Sequence, residues 1–356
     1  MRQQIAALIL TLLLPLYLCG QAHAAELPPE LTRLSPEAAE LAGGGEGLLP
    51  GIRQLWQKVR TQAETYLLSG VRAAAVIMAG VTLLGVAENI VPAGRDTMER
   101  YVTITGALWI TAVSAGDLNA LIGLGQSTIV ELSQLSKVLL PLLAAAEAAA
   151  GGVTAASVRQ VAAVFFADVL LTVIERVLLP GVYLYIGTAA AGTVLEGELM
   201  ERVGELLKKL IGWVLGGLLT LFTAYLTISG AIAGAADAQA VKLAKAAVST
   251  AVPVVGGILS EAAESVLAGA GLLRGTLGAF GTLAVLSACL LPFLRLGAQY
   301  LLYQCASLAA AAAGPKKLTA LLAALGDAFG LTLAMTAASA LLLIISIVSS
   351  LTAVVP

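Results

Sequence analysis

Residues 276–313 read TLGAFGTLAVLSACLLPFLRLGAQYLLYQCASLAAAAA, and this stretch decides the fold class. Its only charged side chain is Arg295. A helix crosses the hydrocarbon core of a bilayer in about 20 mostly apolar residues. The stretch is long enough for two crossings, and Pro292 divides it into Thr276–Leu291 and Phe293–Ala313. No water reaches the hydrocarbon, so a crossing segment must satisfy its own backbone hydrogen bonds, as a helix does. The expected class is an all-α, polytopic transmembrane protein.

Working outward, further spans read at Ala73–Val91, Tyr101–Ile122, Val158–Leu179, Val182–Leu195, Leu210–Ala233 and Leu325–Leu351, for eight in all. Two other apolar segments are interrupted. Lys137–Ala156 contains Pro141 and Gly151-Gly152, and Ser249–Gly271 contains Pro253 and Gly256-Gly257. These read as broken or re-entrant segments, and Pro141, Gly151, Gly152, Pro253, Gly256 and Gly257 are the candidate gate residues.

Composition agrees. The 356 residues are 59 % hydrophobic and 12 % charged, with a mean hydropathy of +0.93. Soluble chains carry about a quarter charged residues, so an ordinary soluble enzyme is excluded, and so is disorder. The net charge of −2 gives no electrostatic basis for nucleic-acid binding. The single histidine, His23, lies in an expected signal peptide. Without it, Ser-His-Asp and Cys-His catalysis and histidine metal ligation are unavailable. Cys19 also lies in the signal, and Cys289 and Cys305 sit in apolar stretches at a spacing that fits no redox or zinc motif. No GxxxxGK[ST] loop is present. The expectation is no catalytic residue, no metal and no cofactor, with any energy input coming from a partner or an ion gradient.

At the amino terminus, Arg2, the apolar run Ile5–Cys19 and Ala22-His23-Ala24 form a secretory signal pattern over residues 1–24. Residues 25–70 read as an extracytoplasmic arm, rich in Glu, Pro and Gly and then amphipathic from Ile52 to Leu68. Such a helix lies on a bilayer surface or docks a partner. Residues 71–136 hold the first two spans.

The remainder shows an internal repeat. Pro141 and Pro253 are 112 positions apart, as are Pro180 and Pro292, each of which ends a Leu-Leu-Pro triplet. Basic pairs follow at Lys208-Lys209 and Lys316-Lys317. The units are 137–235 and 236–356. With three spans in each and a re-entrant segment that stays on one side, the second unit would be inverted relative to the first. Inverted repeats with broken helices are common in transport proteins.

Charges inside apolar segments suggest function by default. Glu147, Asp168 and Arg295 are therefore candidates for a buried polar or pore-lining role. Asp327 reads as lying near a span end.

The stretch 237–281, DAQAVKLAKAAVSTAVPVVGGILSEAAESVLAGAGLLRGTLGAFG, is similar to the signature region of the stage III sporulation protein AE family. Pro253-Val254-Val255-Gly256-Gly257 is its most specific part. Leu140-Pro141, Leu179-Pro180, Leu210–Gly217 and Leu291-Pro292 fit the same family, and the resemblance covers about residues 70–352. It implies a multi-pass subunit of the channel, or feeding apparatus, between mother cell and forespore in endospore-forming bacteria. It implies location in the mother-cell membrane facing the forespore. The implied partners are sister proteins, including a secretion-type ATPase and ring-forming subunits, and the chain is expected to oligomerise. No catalytic residue carries over. The alternative is a stand-alone secondary transporter, argued from the broken repeats.

Overall fold

The computed structural model describes residues 36, 48–90, 96–149, 164–195, 198–251, 256–312 and 315–352. Six helices make up these residues: α1 (Leu48–Ile90), α2 (Asp96–Ala149), α3 (Val164–Val194), α4 (Glu198–Ala251), α5 (Gly256–Ala310) and α6 (Lys316–Thr352). No strand occurs among the described residues. Five stretches are long and apolar enough to cross a membrane: Arg100–Ala149, Val164–Val194, Leu199–Leu226, Gly275–Ala310 and Lys316–Leu351. A shorter apolar stretch, Gly70–Val86, lies on α1.

Five such stretches stand where the sequence suggests eight spans: two pairs merge because proline does not end their helices, and Ala73–Val91 corresponds to the shorter stretch on α1. Pro141 lies inside α2 and Pro292 inside α5. Proline removes one N–H and crowds the carbonyl four residues back. In a membrane bundle neighbouring helices and local rewinding accommodate both effects. The rewinding is visible before Pro180. Residues Ile174–Leu178 form a π-helical turn, and the Leu179 N–H reaches back to the Ile174 carbonyl. The wider turn makes room for the proline ring. Residues 164–179 and 182–194 thus fall on one helix, α3, and residues 276–291 and 293–310 fall on α5.

This changes the reading of the repeat. Each unit contains two candidate crossings among the described residues, α3 with α4 and α5 with α6. The odd number of spans that implied an inverted second copy is absent. Lys137–Ala149 is likewise continuous helix, the end of α2, rather than a broken segment. Gly151, Gly152 and Pro253 lie outside the described residues, and Gly256 and Gly257 begin α5.

The core lies where α2, α5 and α6 meet. One cluster includes Ile110, Ile122, Phe222, Tyr303 and Phe329. A second, toward the other end, gathers Leu132, Leu139, Leu143, Phe280 and Ile347. Backbones come close at glycines. A Cβ on Gly125 would sit 2.5 Å from Thr332 Cγ2, and one on Gly281 would sit 2.5 Å from Leu139 Cδ2. Small residues at helix contacts are how membrane helices gain dispersion energy without a hydrophobic drive. Outside the core, α3 and α4 present Phe165, Leu184, Leu206, Trp213, Leu221 and Ile228 as exposed side chains. In a bilayer these face lipid.

Candidate functional site

Asp327 is the most connected ionisable group in the bundle. It sits about three turns into α6, on a helix whose other described residues after Lys317 are uncharged. Its Oδ2 accepts a hydrogen bond from Lys208 Nζ of α4 at 2.6 Å and from the Tyr185 hydroxyl of α3 at 3.3 Å. Its Oδ1 accepts from Gln304 Nε2 of α5 at 3.1 Å. One carboxylate therefore ties four helices together. The Asp327 side chain is 19 % exposed and that of Lys208 47 %, so the pair lies at a half-open edge. Hydrogen bonds to a charged acceptor exceed neutral ones in strength, and a three-donor shell fixes where each helix end stands.

Tyr185, Lys208 and Asp327 form one wall of a cavity of about 510 Å³ between α3, α4 and α6. Its lining also includes Thr188, Glu201, Glu205 and Lys317. Lys209 pairs with Glu205 at 3.3 Å on the exposed side. The cavity thus presents acidic, basic and hydroxyl groups together at the ends of apolar helices. That chemistry suits holding polar or charged groups and positioning helices.

A second polar set joins α5 to α2. The Tyr303 hydroxyl donates to Ser114 Oγ at 2.9 Å, with both residues buried. Gln299 Nε2 donates to Asp117 Oδ2 at 3.1 Å. Gln299, Tyr303 and Gln304 fall within two turns of one helix. Through them α5 links the Asp327 cluster to α2. At the far end of the bundle the Ser350 hydroxyl donates to Glu147 Oε2 at 3.2 Å.

The sequence-derived candidates distribute unevenly over this frame. Glu147 is buried, at 1 % exposure, between the ends of α2 and α6. Arg295 is half-buried on α5, one turn after Pro292. Asp168 is exposed on α3, which removes the buried alternative for it. Pro141 is half-buried inside α2. The described structure brings none of these four to the Asp327 cavity. The sequence marks Asp327 only as lying near a span end and Lys208 and Lys317 only as members of basic pairs, and it does not mark Tyr185. The usable signal was a lone carboxylate in the most apolar helix, level with basic residues at the start of α4.

The family described as Stage III sporulation protein AE matches residues 54–353. Stage III sporulation protein AE of Bacillus subtilis (strain 168) is 24 % identical over 169 residues, which is 48 % of this chain and 42 % of that protein. The match thus spans less than half of the relative's length. No solved structure matches.

Proposed function

The chain belongs to the stage III sporulation protein AE family, and from that premise we propose that it is a multi-pass subunit of the channel between mother cell and forespore. It serves late forespore development. It resides in the mother-cell membrane that faces the forespore and works as a conduit and assembly subunit rather than as an enzyme. Its partners are sister proteins of the channel, including a secretion-type ATPase and ring-forming subunits, which supply the energy and the soluble rings.

The observation that carries this reading is the union of the family match with five apolar helices held together by internal polar ties. A conduit subunit needs a rigid membrane frame, and the Asp327 cluster and the Tyr303–Ser114 pair supply fixed points within it. The expected extracytoplasmic arm would give the soluble partners a place to dock.

The test is deletion of the gene in its native sporulating host, with complementation by the intact chain. The expected result is a forespore that completes engulfment, then loses expression from a late forespore reporter and yields few heat-resistant spores. Normal spore yield from the deletion strain would overturn the proposal. Normal reporter activity with a late coat defect would also overturn it.

A further inference from the structure

The cavity between α3, α4 and α6 holds one anion and one cation that the fold leaves unmatched. Five charged side chains line it: Glu201, Glu205, Lys208, Lys317 and Asp327. Two of the carboxylates are already answered, Asp327 by Lys208 at 2.6 Å and Glu205 by Lys209 at 3.3 Å. Neither Glu201 nor Lys317 pairs with another described residue. Lys208 spends one of its three ammonium donors on Asp327 and keeps two. The Thr188 and Thr193 hydroxyls donate to the Tyr185 and Ala189 carbonyls, so what they retain for a ligand is oxygen lone pairs. The cavity thus offers a cation with spare donors and an anion with spare acceptors.

Its place in the bundle says what surrounds it. The cavity stands at the ends of the apolar helices, where α3 finishes at Val194 and α4 and α6 begin at Glu198 and Lys316. Its α4 wall is Glu201, Gly204, Glu205 and Lys208, a spacing that keeps all four on one face. Leu199, Leu206 and Leu210 fall on the opposite face and are exposed. A helix start with charges on one side and leucines on the other belongs at the boundary between headgroups and hydrocarbon. Leu195, 54 % exposed, joins the lining, and Ala189, Ala320 and Ala323 add apolar surface beside the charges. The volume of about 510 Å³ falls within the range of about 300–1,000 Å³ typical of small-molecule sites.

We propose that this cavity binds the headgroup of a zwitterionic aminophospholipid. Lys317, with the spare donors of Lys208, holds the phosphodiester. Glu201, with the threonine oxygens, accepts from the primary ammonium. The charges decide the class of ligand. With Lys209 counted, three lysines stand against the three carboxylates of Glu201, Glu205 and Asp327. A neutral ligand with one charge of each sign therefore fills the site without leaving an excess. A purely anionic headgroup leaves Glu201 unanswered and meets its repulsion. A choline headgroup has no N–H to donate to Glu201 or to the threonines. A soluble zwitterion matches the charges, but it has nothing to set against Leu195 and the alanines, whereas a lipid brings glycerol and acyl carbons to that level. The inference needs only that the chain spans a membrane, and it goes beyond the channel reading.

The test uses the purified full chain in mild detergent. The probes are phosphatidylethanolamine, phosphatidylcholine and phosphatidylglycerol with identical acyl chains, and glycerophosphoethanolamine, which is the first headgroup without acyl chains. Native mass spectrometry counts bound ligand on the folded fraction, so a variant that loses stability still tests the site. Phosphatidylethanolamine should bind about fivefold or more tighter than the other two lipids. Glu201→Gln and Lys317→Gln should each weaken it about fivefold or more, as expected when a charge-assisted hydrogen bond is lost at a half-open site. Lys316→Gln, which removes the same charge one residue outside the lining, should leave binding unchanged. Equal binding of phosphatidylcholine would overturn the ammonium contact and the proposal with it. Tighter binding of phosphatidylglycerol would overturn the zwitterion. Retained binding in either glutamine variant would overturn the site. Glycerophosphoethanolamine binding as tightly as the lipid would overturn the lipid as the source and point to a soluble aminophosphate. None of these readouts involves sporulation. Normal spores from the deletion strain would sink the channel reading and leave the lipid site standing.

Discussion

The two hairpins α3–α4 and α5–α6 share features of sequence and stand in opposite environments. Each pairs a proline-containing first helix with a second helix that carries two adjacent lysines, at its start in α6 and about three turns in on α4. Yet 61 % of the most apolar window of α6 is buried inside the bundle, against 22 % for α4. On α4 the exposed side chains include Leu206, Leu210, Trp213 and Leu221, whereas no large apolar side chain of α6 is exposed. The buried faces of α6 carry Thr332, Thr336, Ser339, Ser346 and Ser350 instead. Thr332, Thr336, Ser339 and Ser346 bond back to carbonyls of their own helix four residues earlier. The contrast teaches that large apolar side chains can stay on the lipid-facing side of a bundle, because lipid accepts them as readily as a core does, while α6, the most apolar helix, turns small and self-satisfied polar faces to its neighbours.

The largest expected effect tests that rule with one substitution type in both hairpins. Gly281 on α5 has Leu139 at 2.5 Å and Ile347 at 3.2 Å from its missing Cβ, while Gly216 on α4 has nothing within 4 Å. Gly281→Leu should destabilise the purified protein by about 1–3 kcal/mol, since overpacking forces side chains and backbone to shift. Gly216→Leu should stay within about 0.5 kcal/mol, as open surface sites do. Thermal unfolding in mild detergent checks both. Equal losses at the two sites would break the distinction between a packed hairpin and a lipid-facing one.

The second effect concerns the carboxylate that joins the hairpins. Asp327 holds donors from α3, α4 and α5. Asp327→Ala removes all three contacts and should cost about 1–3 kcal/mol, the usual range when mostly buried donors lose their partner. Lys208→Ala should cost less, about 0–1 kcal/mol, because the lysine is half exposed and its charge is screened. The same unfolding measurement orders the two. A larger loss for Lys208→Ala would mean that the cavity wall, not the carboxylate shell, carries the tie. A third effect, of about 0.5–1.5 kcal/mol, is expected for Tyr303→Phe, which removes one buried neutral hydrogen bond to Ser114.

How much of this could be read in the sequence differs between the two hairpins for physical reasons. Helical class and membrane character follow from hydropathy, which is a property of each segment alone. A lone charge in an apolar run marks both Glu147, which is buried, and Asp168, which is exposed, so that signal alone does not give burial. The continuity of helix through Pro141, Pro180 and Pro292 does not follow, because proline's local penalty is offset by packing and by the π turn at Ile174–Leu178. The Asp327 cluster was illegible for another reason. Its donors lie 142, 119 and 23 residues away in the chain. No short spacing encodes such a contact. The described helices do not reproduce the three spans per unit from which inversion was argued, since a helix that passes through its proline joins two of them.

The smallest expected effect sharpens the comparison by its size. Lys209 and Glu205 form an i,i+4 pair on α4 at 3.3 Å, with side chains 75 % and 66 % exposed. It stands next to the Lys208–Asp327 pair in sequence and has the same chemistry. It differs in that both of its groups remain largely solvated and belong to one helix. Exposed pairs of this kind contribute about 0.3–0.5 kcal/mol at most and are screened by salt. Lys209→Ala should therefore leave the unfolding temperature unchanged within error, at low and high salt alike. The informative readout is the double variant with Asp327→Ala. If the two losses add, the exposed pair is a separate decoration of the α4 surface. A loss for Lys209→Ala that appears only when Asp327 is intact would show that Glu205 is held in place for the cavity. The four-helix tie would then extend one turn further along α4 than the hydrogen bonds to Asp327 reach.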